Sequence, residues 1–180
     1  MLINRYRRSV LWEPEEQQIA KKVKDVVAEV ESVRLEYCFY VEVDRNLSRR
    51  EIQVLNWLLA ETFEPESFGG QTGLAGTILE VGPRVEIVTP WSTNAVKICH
   101  SCGLKSIVRV ERSRCYQINT AAGVELGAKD IERFYPLLHD RMTESAYLQP
   151  LTTFESKKTP KPVKAIPLLE EGISALNKLD

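Results

Sequence analysis

The chain has 180 residues, of which 43% are hydrophobic and 27% charged, and its formal net charge is -1 at pH 7. This length allows one ordinary domain and a tail, and the composition is typical of a folded globular protein rather than a disordered or fibrous one. The near-zero charge gives no bulk electrostatic reason to bind nucleic acid. No apolar run approaches the roughly 20 residues of a spanning helix. We therefore expect neither a nucleic-acid nor a membrane partner.

The first residues and the cysteines bear on the compartment. The start MLINRYRR lacks the apolar stretch of a secretory signal. Four cysteines at this length do not form a disulfide scaffold. We expect a cytoplasmic protein with reduced thiols. Arg5, Arg7 and Arg8 are too short a basic run to predict a transit peptide, although they leave organelle import open.

The apolar pattern predicts alternating helices and strands. Residues 35–43 alternate apolar and polar side chains, as a half-buried strand does, and Ser48 with Glu51 forms the capping-box pattern of a helix start. The predicted elements are a helix over 14–32, a strand over 35–43, a helix over 48–62, a glycine-rich loop over 64–76, short strands over 77–81 and 85–89, a helix capped by Ser92 or Thr93 and ended by Gly103, a strand over 105–118 and a helix over 130–139.

The order strand, helix, strand occurs twice in this series. Two such βαβ halves can share one antiparallel or mixed sheet with the helices on one face, which is an α+β fold of ferredoxin-like type. We expect residues 1–148 to form this domain. Residues 149–180 are rich in proline and lysine, which predicts an extended tether that ends in a short helix over 168–179.

Cys99 and Cys102 form a CxxC motif, which can be half of a zinc site or a redox pair. Zinc needs four ligands, and the other candidates, Cys38, Cys115 and His139, are single residues on separate predicted elements. The spacing of the pair puts both sulfur atoms on the apolar stripe of the predicted helix, which favours core packing. We assign no metal ligand, and a zinc-binding adaptor stays the lesser alternative.

No grouping of nucleophile, base and acid is evident, and we therefore assign no catalytic residue. The Gly69–Gly73 segment lacks the spacing of a phosphate-binding loop and predicts a flexible loop. The strand that carries Arg109, Arg112 and Arg114 concentrates positive charge. It could meet a phosphate or an acidic partner surface, or it could be an edge strand that charge protects from aggregation.

Several ordered motifs resemble the N-terminal domain of the large, single-chain phosphoribosylformylglycinamidine synthases, also called formylglycinamide ribonucleotide amidotransferases. The matching segments are Glu36–Glu42, Leu55–Phe63, Glu80–Leu104, Arg109–Tyr116 and Leu138–Glu144. The resemblance covers about residues 33–144, and Glu171–Leu176 is similar to the start of the family's linker region.

The resemblance implies a PurS-like domain, a fused dimer of a small subunit, within a purine-biosynthesis ligase. That glutamine amidotransferase converts formylglycinamide ribonucleotide, glutamine and ATP into formylglycinamidine ribonucleotide, glutamate, ADP and phosphate. Its synthase and glutaminase domains lie downstream of anything in this chain and would be its partners, in cis or as separate chains. The implied cofactors, ATP and Mg²⁺, belong to the parent enzyme. This chain is therefore predicted to be inactive alone and to bind no cofactor.

The resemblance also selects candidate site residues at a strand-to-helix junction, where a helix N-terminus can meet an anion. They are predicted to contact the synthase domain or, as the lesser possibility, a substrate phosphate. The junction residues are Thr89, Trp91, Ser92 and Asn94, and the matching cations are Arg84, Arg109 and Arg114. Trp91 is equally consistent with a core anchor.

A different class of function is a stand-alone ferredoxin-like module that binds a small ligand or RNA. RNA-binding sheets of this type stack bases on aromatic side chains of an open face. Tyr37, Phe39 and Tyr40 on the first predicted strand are the candidates, although the near-neutral charge argues against RNA.

Overall fold

A computed structural model describes residues 1–8, 12–60, 62, 64–121, 124–156, 165–173 and 175. The strands within these ranges are β1 (Leu2–Arg7), β2 (Val30–Val43), β3 (Phe68–Gly69), β4 (Ile78–Pro83), β5 (Ile107–Thr120) and β6 (Glu144–Tyr147). The helices are α1 (Glu13–Lys24), α2 (Arg49–Leu59), α3 (Pro90–Ser101), α4 (Ala128–Leu138) and α5 (Leu168–Glu171). No helix in these ranges is long and apolar enough to cross a membrane.

The six strands form one sheet in the order β3-β1-β2-β5-β4-β6, and every neighbouring pair is antiparallel. The order is symmetric about the β2–β5 pair. The unit β1-α1-β2-α2-β3 therefore corresponds to the unit β4-α3-β5-α4-β6. The predicted α+β fold of ferredoxin-like type, with two halves that share a sheet, is confirmed.

Helices α1 to α4 pack on one face of the sheet, as the alternation along β2 requires. One core lies beneath α1 and α4, where Val23 and Phe134 pack with Leu35. The other lies beneath α2 and α3, where Leu55 packs with Phe39. Because successive side chains of a strand point to opposite faces, Leu35 and Phe39 lie on the same side. The centre of this face, between the two cores, holds the candidate site.

The opposite face of the sheet is covered by loop segments rather than by helices. Its buried cluster includes Tyr40, Cys115 and Tyr147, and Leu74 and Phe154 close over it. Phe154 is only 7% exposed. The first residues of the predicted tether therefore lie against the sheet. The remainder of that tether falls largely on residues 157–164, which lie outside the described ranges, and the boundary at residue 148 stays a prediction.

Strand β1 was not predicted because its apolar alternation is broken by arginines. Arg5 Nε donates a hydrogen bond to Asn56 Oδ1 at 2.8 Å, and Arg7 Nη1 donates one to the Leu59 carbonyl at 3.0 Å. Both guanidinium groups therefore reach α2 across the helix-covered face. Strand β6 was missed for another reason, since its four residues are too few to show a period.

Several predicted elements and boundaries are wrong, including the start of β2, which lies at Val30 rather than at residue 35, and the loop predicted over 64–76, which contains β3. Residues 85–89 form no strand, because the carbonyls of Val85 and Ile87 accept hydrogen bonds from Arg109 instead of from a neighbouring strand. Helix α1 ends at Lys24 rather than at residue 32, since β2 already begins at residue 30. Helix α3 is capped by Thr89 rather than by Ser92 or Thr93.

Candidate functional site

Thr89 joins the start of α3 to the central strand β5. Its Oγ1 accepts a hydrogen bond from the Ser92 amide at 3.0 Å, and Pro90 occupies the first helical position, where no amide is needed. The Thr89 amide and hydroxyl both donate to the Glu111 carboxylate, at 3.1 and 2.8 Å. Glu111 is 1% exposed. The predicted junction is therefore held by a buried carboxylate.

Arg109 uses its guanidinium inside the domain. Its Nε donates to Glu111 Oε1 at 3.1 Å, and its Nη1 donates to the Val85 carbonyl at 2.8 Å. Its Nη2 donates to the Ile87 carbonyl, and its Cζ lies 4.2 Å from the centre of the Phe154 ring. The Arg109 side chain therefore holds the loop that contains Val85 and Ile87 and leads into α3.

Arg114 and Arg84 both bind the segment that follows α4. Arg114 Nη2 lies 2.8 and 2.6 Å from the two carboxylate oxygens of Glu144, and it also donates to the Leu138 carbonyl at 3.3 Å. The exposed Arg84 donates to the Arg141 carbonyl at 2.7 Å. The structure thus separates the three predicted cations into different local contacts and does not bring them together in one anion site.

The other junction residues differ in exposure. Trp91 is half-buried with its ring centre 6.1 Å from that of Phe39, whereas Asn94 is exposed on the first turns of α3. Ser92 is fully buried, and its Oγ has no hydrogen-bond partner among the described residues. Trp91 therefore contributes to the core and also presents one side of its ring to the surface.

A groove of about 360 Å³ lies beside Trp91, between α2 and α3, and we call it the α2–α3 groove. It is lined by Arg7, Phe39, Leu58, Leu59, Trp91, Asn94, Ala95, Ile98, Cys99 and Arg112. Two of the predicted site residues, Trp91 and Asn94, therefore line it. Arg7 was missed because β1 was not predicted, since its arginines break the apolar alternation that would have revealed the strand.

Arg112 lies at the base of this groove between two aromatic rings. Its Cζ is 4.4 Å from the centre of the Tyr37 ring and 5.3 Å from that of Trp91. Arg7 also stacks on an aromatic ring of the groove, with its Cζ 5.2 Å from the centre of the Phe39 ring. Such stacking holds guanidinium groups in a defined orientation. The arrangement suits recognition of a carboxylate or phosphate.

The opposite face contains a buried carboxylate, Glu80, in a polar network. Tyr40 and Ser113 donate hydrogen bonds to its Oε1 at 2.8 and 2.5 Å. Burial raises the pKa of Glu80, and these hydrogen bonds oppose that effect. Burial also raises the pKa of Cys38 to about 12. These groups serve the interior of the sheet, since the covering loops exclude them from the surface.

The cysteine pair is divided between interior and surface. Cys99 is buried, and burial raises its pKa to about 11, whereas Cys102 is exposed at the end of α3. The prediction that both sulfur atoms lie on the apolar stripe is therefore wrong for Cys102, because the helix ends there. In the described part of the chain, no three His, Cys, Asp or Glu side chains come together as metal ligands.

The aromatic residues considered for RNA stacking do not form an open platform. Phe39 and Tyr40 are each 1% exposed. Tyr37 and Phe39 lie on the helix-covered face, and Tyr40 lies beneath Leu151 and Phe154. The predicted stacking surface is wrong, because both faces of the sheet are covered.

Comparisons with known proteins agree on one family. The model of the formylglycinamide ribonucleotide amidotransferase N-terminal family matches residues 36–154. A phosphoribosylformylglycinamidine synthase of Dictyostelium discoideum is 41% identical over 163 residues, which cover 84% of this chain and 12% of that protein. A probable phosphoribosylformylglycinamidine synthase, chloroplastic/mitochondrial, of Arabidopsis thaliana is 37% identical over 188 aligned residues, covering 99% of this chain and 13% of that protein.

A third relative, the human phosphoribosylformylglycinamidine synthase, is 32% identical over 165 residues, covering 88% of this chain. The chain spans 12–13% of the length of these relatives. The family-model match includes most of β2, all elements from α2 to β6, the α3 junction and every lining residue of the α2–α3 groove except Arg7. The chain belongs to the family of formylglycinamide ribonucleotide amidotransferase N-terminal domains.

Proposed function

We propose that this chain acts as the N-terminal structural and interface domain of a phosphoribosylformylglycinamidine synthase. The observation that carries the proposal is the family match over residues 36–154 in a chain that spans only 12–13% of its relatives. In the proposed reaction, formylglycinamide ribonucleotide, glutamine, ATP and water give formylglycinamidine ribonucleotide, glutamate, ADP and phosphate. The synthase and glutaminase parts would be supplied in cis or by separate chains.

Within that enzyme, the residues of this chain would bind and position rather than react. Glu111 and Arg109 hold the start of α3, and this leaves Trp91 and Asn94 at the surface for contact with the synthase domain. Because Arg109 and Arg114 are already paired with carboxylates, they support the interface from within. The exposed Arg84 is the better placed of the predicted cations for a substrate phosphate.

ATP and Mg²⁺ are proposed to act in the parts of the enzyme outside this chain. The described residues bring together no set of three carboxylate, imidazole or thiolate ligands that would fit a metal ion. The proposed contribution of this chain is binding and orientation.

The first test is activity of the purified chain. We expect it to release no glutamate from glutamine and no ADP from ATP, whereas the longer protein that contains it does both. Coupled assays for glutamate and ADP, with formylglycinamide ribonucleotide present, measure this directly. Glutamine-dependent amidine formation by the 180-residue chain alone would contradict the proposal.

The second test is the size of the native gene product in source cells, probed with an antibody against residues 33–144. A band several times larger than 20.5 kDa would support a domain in cis, and a band at 20.5 kDa that co-purifies with synthase and glutaminase chains would support a separate subunit. A 20.5 kDa band without such partners would contradict both arrangements.

The compartment is proposed to be the cytoplasm, with organelle import as the alternative. The name of the Arabidopsis thaliana relative places that protein in chloroplasts or mitochondria. Fractionation of source cells with the same antibody distinguishes the two. Recovery in the organelle fraction would contradict the cytoplasmic proposal.

A further inference from the structure

Arg112 has no anionic partner among the residues that the structure describes. In this part of the chain, no oxygen atom accepts a hydrogen bond from its guanidinium, which stacks on the Tyr37 and Trp91 rings. The neighbouring arginines of β5 differ, because Arg109 is paired with Glu111 and Arg114 with Glu144. Arg112 is only partly buried, so its guanidinium can bind an anion that a partner supplies.

The lining of the α2–α3 groove also includes Arg7, which has bonding partners of its own. Arg7 and Arg112 are both among the lining residues, which include no aspartate or glutamate. Asn94 adds an exposed amide at the margin of the groove. An occupant that carries a carboxylate would compensate the charge of Arg112, whose planar guanidinium has the geometry to bind it through two hydrogen bonds.

The walls of the groove are apolar, which bears on the kind of occupant. Leu58 and Leu59 come from α2, and Ala95 and Ile98 come from α3. Ile98 is 55% exposed, and Trp57, on the outer side of α2, is 75% exposed. Leu58 and Trp57 also line an adjacent hollow, so the apolar surface continues beyond the groove. Clustered aromatic, aliphatic and arginine side chains are typical of the centre of protein interfaces.

We propose that the α2–α3 groove docks an acidic peptide segment from the portion of the full-length protein that lies outside these 180 residues. A carboxylate of this segment binds Arg112, and its apolar neighbours pack on Ile98 and Trp57. The occupant is inferred from charge complementarity and from the chain spanning only 12–13% of its relatives, so that most of their length lies elsewhere. The inference rests on the proposed function, because it names the surface by which this domain meets the remainder of the enzyme.

A protein segment fits this site better than a free phosphate does. Phosphate sites are typically built from several backbone amides at a helix start. At the start of α3, the Ser92 amide is already bonded to Thr89, and the Thr89 amide to Glu111. The groove offers apolar walls along its length instead, and these would contact the side chains next to a carboxylate.

The test is photo-crosslinking in the full-length protein, with a benzoylphenylalanine residue in place of Ile98 or, as the control, of Met142. Met142 is 80% exposed and lies outside the groove. We expect residue 98 to crosslink to a segment beyond residue 180 that contains an aspartate or glutamate. Peptide mass spectrometry identifies that segment.

The charge contribution is tested with Arg112→Gln in the Ile98 crosslinking protein, and Arg50→Gln is the matched control on the exposed start of α2. We expect Arg112→Gln to lower the crosslink yield about tenfold, as loss of a charged hydrogen-bonded pair predicts, and Arg50→Gln to leave it unchanged. Exchanging the charges, with Arg112→Glu and the identified acidic residue changed to arginine, should restore the yield. If Arg112→Gln lowers the thermal unfolding temperature, the crosslinked peptide from the otherwise unchanged protein still decides the occupant.

The outcomes separate this inference from the proposed function. No crosslink from residue 98, or one to a segment without acidic residues, overturns the docking proposal. If the docking proposal fails in this way but residue 142 crosslinks to the remainder of the enzyme, the proposed interface function still stands. The interface then lies on another surface of the domain. If neither position crosslinks and residues 1–180 separate from the remainder after a proteolytic cut, both proposals fail.

Discussion

Glu111 is a buried carboxylate that binds both Thr89 and Arg109. It accepts two hydrogen bonds from Thr89 and one from Arg109, and it is 1% exposed. Since Arg109 is also buried, removing the carboxylate charge would leave a cation without compensation in the interior. The buried pair therefore matters more for stability than the surface ion pairs of the same domain.

We predict that Glu111→Gln lowers the free energy of unfolding by about 3–5 kcal/mol, because it leaves Arg109 unpaired. Urea denaturation of the purified chain measures this change. Arg133→Ala is the control, since it breaks the exposed pair with Asp130 at 3.9 Å and should cost less than about 1 kcal/mol. Equal losses for the two variants would contradict the role assigned to Glu111.

Glu80 makes stability depend on pH in the opposite direction to most carboxylates. Burial, the largest cause, raises its pKa, while hydrogen bonds from Ser113 and Tyr40 oppose the rise. The folded state therefore keeps a proton on Glu80 at pH values where the unfolded chain has already lost it. Stability falls as the pH rises from the ordinary pKa of a glutamate to the raised pKa, and levels off above it.

We predict that Glu80→Gln removes this decline, because an amide cannot ionise. As the pH rises from 4.5 to 7.5, the free energy of unfolding of the variant should increase relative to that of the parent chain. This range begins near the ordinary glutamate pKa of about 4.3. Urea titrations across this range provide the measurement. Glu31→Gln, at an exposed position of β2, is the control. Parallel pH profiles for Glu80→Gln and the parent chain would refute the prediction.

At the scale of elements, β4 depends on a close approach at Gly82. A Cβ atom there would lie 2.8 Å from the Tyr147 ring on β6 and 2.9 Å from Ser113 Cβ on β5. The position lies between two neighbouring strands, so neither contact can relax without moving the sheet. Glycine is required here by space rather than by a left-handed backbone.

We predict that Gly82→Ala lowers the free energy of unfolding by about 1–3 kcal/mol through overpacking. Gly70→Ala is the control, because the nearest atom to an added Cβ is Arg5 Nη1 at 3.9 Å. The control should change stability by less than about 0.5 kcal/mol. Thermal and urea unfolding of both variants test this, and a neutral Gly82→Ala would show that β6 can shift freely.

The elements differ in how far local sequence predicts them. Strand β2 and helix α2 were predicted because a clear period and a capping box mark them. Strand β1 was missed because Arg5 and Arg7 occupy positions where an apolar residue is expected, and their bonding partners on α2 are distant in sequence. The strand predicted over 85–89 is absent because Arg109 binds the carbonyls a ladder would use.

At the scale of the whole molecule, the segment after β6 completes the second face of the sheet. The Leu151 amide donates to the Tyr40 hydroxyl at 3.3 Å, and Phe154 is 7% exposed above Arg109. The predicted domain boundary at residue 148 would leave this face uncovered. If these contacts stabilise the domain, the domain extends beyond residue 148.

We predict that Phe154→Ala lowers the free energy of unfolding by about 3–5 kcal/mol, because it removes a buried ring. Leu148→Ala is the control in the same segment, since Leu148 is 81% exposed, and it should cost less than about 0.5 kcal/mol. Urea denaturation compares the two. A loss below 1 kcal/mol for Phe154→Ala would instead support an independent tether from residue 149.

The sequence by itself determined the fold class, the covered face of β2 and the family, because periodicity and ordered motifs are local properties. It also selected Trp91 and Asn94, which line the α2–α3 groove. Only the tertiary structure decided the state of the arginines. Arg109 and Arg114 are paired with carboxylates, whereas Arg112 has no carboxylate partner within the described ranges. The physical reason is that a charge acquires its partners from residues distant along the chain, and no local pattern records which of them folding brings within hydrogen-bond distance.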